Sequence, residues 1–275
     1  MLPPTPYPEL NEVLRELVAS MQGILGETFV AACLQGSLAV GDFDQDSDVD
    51  IVIAITQELS NEQVQALQSM HERIYNLDCA WAQHLEGSYF PKDVLRNADQ
   101  RGKLLWYLDH GSRSLIQSTH CNTLVVRAVV RKHGVALAGS DPATLVDPIP
   151  VDMLRQEIRA VMRDWWQSIL ANPAQLNNRF YQTYAVLNYC RMLHDLATGT
   201  VGSKRAGAEW VKATLNPAWA GLIERAWDGR PDPARSSRQP ADPKDLQLTL
   251  AFIDYILTHI TADGIVTSAS RNESQ

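Results

Sequence analysis

One polar segment that leads directly into an apolar run constrains this chain more than any other. Gly36 and Ser37 are followed ten residues later by Ser47, and then by Asp48 and Asp50, where the apolar run begins. Side chains two residues apart on a strand point to the same face of a sheet, so the two carboxylates converge. Two such groups repel each other unless a cation lies between them, and Mg²⁺ is commonly held by one or two carboxylates together with substrate phosphates. The spacing therefore predicts a Mg²⁺ and phosphate site at the start of a buried strand.

The alternative interpretation of the same residues is a solvated acidic turn. Asp-rich turns are common, and we interpret Asp42, Asp44 and Asp46 as one, because Phe43 is their only apolar neighbour. Asp-x-Asp by itself does not separate the two interpretations. The complete pattern, with the Gly-Ser pair before it and the apolar run after it, favours the metal site.

Apolar periodicity predicts a mixed unit of helices and strands in the first half of the chain. We expect a Gly-Ser turn at Gly36, and Asn122 as the N-cap of the third helix. Glu86 follows the third strand directly, which brings it beside the two aspartates if that strand pairs with theirs. The helices are expected at residues 10–21, 61–77 and 124–132, and the strands at residues 29–34, 49–55, 79–85, 104–108, 114–117 and 135–138.

A proline-rich segment separates this half from a helical one. Residues 139–150 contain three prolines within nine residues, which regular elements do not tolerate. The predicted fold is α+β, with a mixed sheet and flanking helices followed by an all-helical bundle. Its domains are residues 1–145, 146–265 and a disordered tail, 266–275. In the bundle we expect a mobile loop at residues 230–243 and helices at residues 153–169, 181–196, 204–214, 217–227 and 246–260.

Charge and composition narrow the class of partner. The 24 basic and 32 acidic residues give a net charge of −8, which argues against nucleic-acid binding and suits a small cationic partner. No apolar run reaches the ~20 residues of a membrane span, and the first residues lack a leader pattern, so we expect a cytoplasmic monomer that contacts no membrane. The four cysteines are far apart and no His-Glu-x-x-His pair occurs, so we expect reduced thiols and no zinc site.

The stretch GSLAVGDFDQDSDVDIVIAI resembles the metal and phosphate motif of nucleotidyltransferases of the DNA polymerase β superfamily. It is most similar to the streptomycin/spectinomycin adenylyltransferases, a group that modifies antibiotics and confers resistance. The resemblance implies an ATP-dependent adenylyltransferase with two Mg²⁺ ions. Asp48 and Asp50 would bind the metal, and Gly36, Ser37 and Ser47 would hold the nucleotide phosphates.

The resemblance extends to residues outside this motif. It implies that Glu86 is the catalytic base and a third carboxylate at the metal; the alternative is an exposed residue at a strand end. The stretch TGTVGSKRAGAEW resembles the one that carries a phosphate-contacting lysine in the family, which would be Lys204 at the start of a helix. Arg191 resembles an arginine that also reaches the nucleotide. Trp227 is a candidate for stacking on adenine, although most tryptophans at helical spacing belong to a core. The helical domain would then close the cleft that holds nucleotide and acceptor.

The acceptor region departs from the family. Streptomycin-active members carry an Asp where this chain has Tyr181, and residues 171–184 contain no carboxylate. A hydroxyl of a spectinomycin-like aminocyclitol is therefore favoured over streptomycin as the acceptor. Two alternatives remain open: the same chemistry on another antibiotic, a metabolite or a protein, and a nucleotide-binding module without turnover. Further candidates for acceptor contacts are Trp106, Asp109, Trp165 and Trp166.

Overall fold

Two units are distinguished by their internal contacts in the computed structural model, which describes residues 3–231, 233–261 and 264–265. They are Met1–Ile149 and Pro150–Gln275. The tail for which we predict disorder, residues 266–275, lies outside the described residues. The assignment of a catalytic domain and a cleft-closing domain stays a prediction.

A mixed six-stranded sheet forms the centre of the first unit. Its strands are β1 Phe29–Leu34, β2 Val49–Ile55, β3 Leu85–Pro91, β4 Leu105–Leu108, β5 Leu115–Ser118 and β6 Val135–Gly139. They lie in the order β5-β4-β3-β2-β1-β6. β2 and β3 are parallel, and the other neighbouring strands are antiparallel. The predicted edge position of β6 is confirmed.

Alternating side chains of the central strands divide the core of this unit into two layers. Ile51 and Ile53 pack in the layer of the helices Pro8–Leu25 and Asn61–Tyr75. Val52 and Ala54 pack on the other face, in the layer of the helices Lys92–Arg96, Leu124–His133 and Pro142–Leu145. Each fully buried Ile or Val side chain contributes about 1.5–3 kcal/mol to folding. The helices of this unit are α1 Pro8–Leu25, α2 Gly36–Val40, α3 Asn61–Tyr75, α4 Lys92–Arg96, α5 Leu124–His133 and α6 Pro142–Leu145.

The second unit is helical apart from two paired two-residue strands. Its central helix, Arg179–Thr198, is buried on most of its circumference. It contacts the four helices Val151–Ala171, Lys204–Thr214, Ala220–Asp228 and Pro243–His259. None of the helices in the described part of the chain is long and apolar enough to span a bilayer. The elements are α7 Val151–Ala171, α8 Arg179–Thr198, α9 Lys204–Thr214, α10 Ala220–Asp228, α11 Pro233–Ser236, α12 Pro243–His259, β7 Ile260–Thr261 and β8 Gly264–Ile265. The predicted α+β fold with a helical second part is confirmed.

The third strand is the element that the sequence pattern places wrongly. Residues 80–83 form a 3₁₀ turn, in which Trp81 packs against the rings of Tyr7 and Phe43. The strand begins at Leu85 and runs to Pro91, because it pairs with β2 on one side and β4 on the other. This pairing outweighs the weak strand propensity of Gly, Ser and Pro. Glu86 is therefore the second residue of β3 and does not follow a strand.

Smaller differences concern turns and caps. The expected Gly-Ser turn is the short helix α2. Thr123, and not Asn122, caps α5 by accepting a hydrogen bond from the Val126 N–H at 3.2 Å. Asn122 donates to two backbone carbonyls instead. Short helices also interrupt both proline-rich segments, since Pro is tolerated at the first helical position.

Candidate active site

Asp50 and Glu86 are direct neighbours across the parallel pair β2–β3. Strand alternation places Asp50 on the same face as Val52, and Glu86 on the same face as Phe90, and both of these apolar residues belong to the layer of α4, α5 and α6. Asp48 precedes β2 by one residue. The two strands thus present carboxylates at the same end and on the same face of the sheet.

Gly36 lies directly beneath the Asp50 carboxylate. Its φ of +61° is in the left-handed region, and a Cβ on it would lie 2.7 Å from Asp50 Cγ. The Gly36 N–H donates to Gln35 Oε1 at 2.8 Å, and the Gln35 N–H donates to the Asp50 carbonyl oxygen at 2.9 Å. Ser37 follows as the second residue of α2 and is half-buried. The Gly-Ser pair and Asp50 are therefore held together by backbone contacts.

Gly36→Ala tests this close approach, with Gly41→Ala as its control. Both glycines have positive φ, but a Cβ on Gly41 would meet no atom within 4 Å. Each substitution costs about 1–2 kcal/mol of backbone strain, whereas only Gly36→Ala also displaces Asp50. We expect calorimetry to show at least tenfold weaker binding of ATP with Mg²⁺ in Gly36→Ala and little change in Gly41→Ala. Equal affinities in the two variants would contradict the positional role of Gly36.

Contacts to Glu86 converge on one of its two carboxylate oxygens. The Tyr107 hydroxyl donates to Oε1 at 2.8 Å and also lies 2.9 Å from Asp109 Oδ1. The Cys121 thiol approaches the same Oε1 at 3.6 Å, and His120 Nε2 lies 3.8 Å from it. Within the described residues, Oε2 accepts no hydrogen bond. Oε1 is therefore the anchored atom, and Oε2 is the one available to a substrate.

Burial and neighbouring charges make Glu86 unusually basic. Burial raises the pKa of its carboxyl, the Tyr107 hydrogen bond opposes that rise, and the charge of Asp48 adds to it. Burial and the charge of Glu86 also raise the pKa of Tyr107, which stays a neutral donor. One hydroxyl hydrogen cannot serve two carboxylates, so Glu86 and Asp109 need a further proton or a cation for both contacts to be favourable.

Two histidines lie beside Asp48. His110 Nε2 is 3.3 Å from Asp48 Oδ1, and the rings of His110 and His84 are 5.3 Å apart. Burial, with a smaller contribution from His110, lowers the pKa of His84 and favours its neutral form. Neither histidine stands out in the sequence. His84 directly precedes β3 and His110 follows β4, so the pairing of these two strands brings them together.

Ser47 closes the acidic turn that precedes Asp48. Its hydroxyl donates to Asp44 Oδ1 at 3.0 Å and accepts from the Asp44 N–H at 3.1 Å. The Asp46 N–H also donates to Asp44 Oδ1, at 3.1 Å. The acidic turn expected from the sequence is present, and a role of Ser47 in binding nucleotide stays a prediction.

Lys204 and Arg191 lie on directly packed helices of the second unit. Lys204 is the first residue of α9, and its Nζ lies 4.9 Å from the centroid of the Tyr184 ring. Arg191 Nη2 donates to Asn188 Oδ1 at 2.8 Å. A Cβ on Gly207 would lie 2.5 Å from Arg191 Cα, so only glycine lets α9 pack this closely against α8. Lys204 lies three residues before Gly207, about one helical turn from this contact between α9 and α8.

Trp227 is a half-buried residue of α10 with cations beside its ring. The guanidinium carbons of Arg230 and Arg205 lie 4.8 and 6.0 Å from the ring centroid. The ring also lines a cavity of about 240 Å³, together with residues that include Lys212 and Glu224. Stacking of Trp227 on adenine stays a prediction.

Comparison with known proteins adds to this geometry. Residues 144–257 match the family described as aminoglycoside adenylyltransferase, C-terminal domain. The spectinomycin 9-adenylyltransferases of Staphylococcus aureus strains Mu50 and N315 are each 21% identical to this chain over 224 residues. These alignments cover 76% of this chain and 80% of each relative. The chain is therefore similar to the aminoglycoside adenylyltransferases, in sequence over most of its length and in its C-terminal domain by family match.

The fold of this chain is also found in a solved structure. A crystal structure of the Enterococcus spectinomycin adenyltransferase AAD(9), with ATP and spectinomycin, superimposes with a TM-score of 0.65 at 14% identity. The match covers 90% of this chain and 98% of that one.

Some contacts of the candidate site were missed by sequence reasoning. Tyr107 and Asp109 are two residues apart on and after β4, and the pairing of Tyr107 with Ser88 places Tyr107 on the Glu86 face. This Tyr-x-Asp spacing was the available signal. Trp106 points to the opposite face and packs in the layer of α1 and α3, and its role at the acceptor stays a prediction. Trp165 stacks on the buried Tyr189 ring.

Proposed function

We propose that this chain transfers the adenylyl group of ATP to a hydroxyl of a small cationic aminocyclitol, spectinomycin-like rather than streptomycin-like. The observation that carries the proposal is the β2–β3 register, which pairs Asp50 with Glu86 above Gly36. The family match of the second unit and the activity of the Staphylococcus aureus relatives support it.

The donor set at the strand ends fits Mg²⁺. Asp48 and Asp50 offer hard carboxylate oxygens, and Mg²⁺ needs only one or two of these besides phosphate oxygens and water. Asp48 and Asp50 would hold the ion, with Glu86 beside them. When bound, Mg²⁺ would supply positive charge to the reacting phosphate and to the departing pyrophosphate.

Glu86 is proposed as the proton acceptor for the attacking hydroxyl. A general base works best when its pKa is close to the working pH, and burial moves the pKa of Glu86 upward in that direction. Tyr107 holds Oε1 at 2.8 Å, which leaves Oε2 to take the hydroxyl proton. Asp109 Oδ1 lies 2.9 Å from the same hydroxyl and competes for its hydrogen. Tyr107 is thus the positioning residue for the base.

Nucleotide-binding roles are proposed for the residues that the family resemblance indicates. Gly36, Ser37 and Ser47 would contact the phosphates. Lys204 and Arg191 would neutralise the triphosphate, and Lys204 is well suited to this because it lies at the positive end of the α9 dipole. Trp227 would stack on the adenine ring.

The preference for a spectinomycin-like acceptor is proposed from Tyr181, which lies in the first turn of α8. Tyr181 is 50% exposed, its backbone N–H donates to Asn178 Oδ1 at 2.8 Å, and its ring lies edge-on to the Phe180 ring. A neutral residue here provides no partner for a guanidinium group. A missing charge pair costs on the order of 2–5 kcal/mol in affinity when the partner is buried.

Tyr181→Asp is expected to raise the catalytic efficiency for streptomycin while that for spectinomycin changes little. The new carboxylate lies in the first turn of α8, where the helix dipole favours negative charge, so folding should be preserved. Tyr181→Asn is the matched control without charge. The assay measures pyrophosphate release and product mass with each drug. If the wild-type chain already modifies streptomycin more efficiently than spectinomycin, the proposed preference is wrong.

A further inference from the structure

Three side chains with different ligand chemistry meet at the carboxylate face. The ligand atoms of Glu86, His120 and Cys121 all lie within 4.8 Å of one another. Local spacing in the sequence indicates no zinc site, but Glu86 and Cys121 are 35 positions apart and meet through the sheet. We propose that these three residues form a site for a thiophilic divalent ion such as Zn²⁺, distinct in chemistry from the Mg²⁺ site.

The interatomic distances suit a tetrahedral ion. Zinc bonds of about 2.0–2.3 Å imply that neighbouring ligand atoms are about 3.3–3.6 Å apart at tetrahedral angles. Cys121 Sγ lies 3.6 Å from Glu86 Oε1, and His120 Nε2 lies 3.8 Å from the same atom. These two separations are within a few tenths of an ångström of the tetrahedral values. The third pair, His120 Nε2 and Cys121 Sγ, lies within 4.8 Å, and rotation of the exposed His120 side chain can bring the two atoms closer.

The segment that carries Cys121 and His120 is held in place by Asn122. Its buried amide donates to the carbonyl oxygens of Gln100 at 3.1 Å and Lys103 at 2.9 Å, and its N–H donates to the Thr119 carbonyl at 3.0 Å. These bonds fix the backbone beside both ligands. The site is thus built by long-range contacts and does not depend on a mobile loop.

One side of the cluster is open and the other is closed. The Cys121 side of the site is buried, whereas the His120 side chain is 65% exposed. An ion can therefore enter from the His120 side, and three protein ligands leave a fourth position for water, as in open zinc sites. Thiolate and imidazole ligands favour Zn²⁺ or Co²⁺ over Mg²⁺. Binding requires the Cys121 thiolate, so the thiol proton passes to the solvent.

Occupation of this site would inhibit the proposed reaction. Coordination of Zn²⁺ by Glu86 Oε1 would change the present contacts of this carboxylate. Glu86, the proposed base, would then lose its orientation and much of its basicity. This consequence rests on the proposed function, whereas binding of the ion does not.

Cobalt absorption spectroscopy tests the site directly. The full chain is freed of metal with a chelator and titrated with Co²⁺ in the absence of nucleotide. We expect one equivalent to produce a thiolate-to-cobalt charge-transfer band that Zn²⁺ abolishes. Cys121→Ser should lose the band, and His120→Ala, at an exposed position, should keep the fold and weaken Co²⁺ binding at least tenfold. Cys79→Ser, at a half-buried cysteine outside the cluster, should leave the spectrum unchanged. No band in the wild type, or the same band in Cys121→Ser, would overturn the proposal.

A second measurement separates this inference from the proposed function. The rate of pyrophosphate release with and without Zn²⁺ is compared within each variant, at constant Mg²⁺. We expect Zn²⁺ to slow the wild type and Cys79→Ser strongly, and Cys121→Ser much less. Equal inhibition of all three would refute inhibition through this site. A cobalt band in a chain without transferase activity would refute the proposed function and leave the metal site standing.

Discussion

Asp50→Asn is expected to lower adenylyl transfer by roughly 10³-fold, because a metal ion supplies several kcal/mol of charge stabilisation in the transition state and each ~1.4 kcal/mol is a factor of ten. The substitution keeps the shape of the side chain above Gly36 and removes only its charge. Asp48→Asn should behave in the same way. Pyrophosphate release with MgATP and spectinomycin measures the effect.

The matched control for this prediction is Asp46→Asn. It makes the same chemical change two residues before Asp48, within the acidic turn. We expect turnover within a fewfold of the wild type, since the turn is organised around Asp44 and Ser47. Near-normal turnover in Asp50→Asn, or an equal loss in Asp46→Asn, would show that the metal site has been assigned to the wrong carboxylates.

Glu86→Gln is expected to abolish most of the transfer and to stabilise the metal-free protein. Loss of a general base typically costs about 10²–10⁴-fold in rate. ATP affinity, measured by calorimetry, should change little, because Glu86 is proposed to act on the acceptor hydroxyl. Burial, with the charge of Asp48, raises the pKa of this carboxyl above its usual 4.5, so the ionised form is disfavoured in the folded state.

The sign of the stability effect follows from proton linkage. The folded protein binds more protons than the unfolded chain between pH 4.5 and the raised pKa of Glu86, so this residue makes the protein less stable as the pH rises through that interval. Gln carries no such cost. Thermal melts in a chelator should therefore show a melting temperature of Glu86→Gln that exceeds the wild type at pH 8 and approaches it near pH 4. A variant less stable than the wild type at pH 8 would contradict the pKa assignment.

Local patterns predict the fold where the chain is uniformly apolar. β1 and β2 have the expected bounds, and α9 also begins and ends where its periodicity indicates. β3 is different, because LEGSYFP has few strand-forming residues and becomes a strand through pairing on both sides. The apolar residues around Trp81 look like a strand, but they are used in an aromatic cluster with Tyr7. Long-range contacts decided both cases: strand pairing for β3 and ring packing for Trp81.

The candidate site also contains residues that the sequence predicts and residues that only the structure brings together. Asp48 and Asp50 are visible from their spacing, and Glu86 from its position in the family pattern. Tyr107, His120 and Cys121 reach Glu86 only through the antiparallel pairs β3–β4 and β4–β5 and the segment after β5. Apart from the Tyr-x-Asp spacing, no local signal in the sequence encodes these contacts, so the environment that sets the pKa of Glu86 required the structure.

The most direct test of the central claim is mass spectrometry of the acceptor after incubation of the purified chain with ATP, Mg²⁺ and spectinomycin. The account predicts a product that carries one AMP, formed together with one pyrophosphate, and its absence when Asp50→Asn replaces the wild type. Hydrolysis of ATP without an AMP adduct, or no adduct on spectinomycin or on any related aminocyclitol from a folded chain, would contradict it.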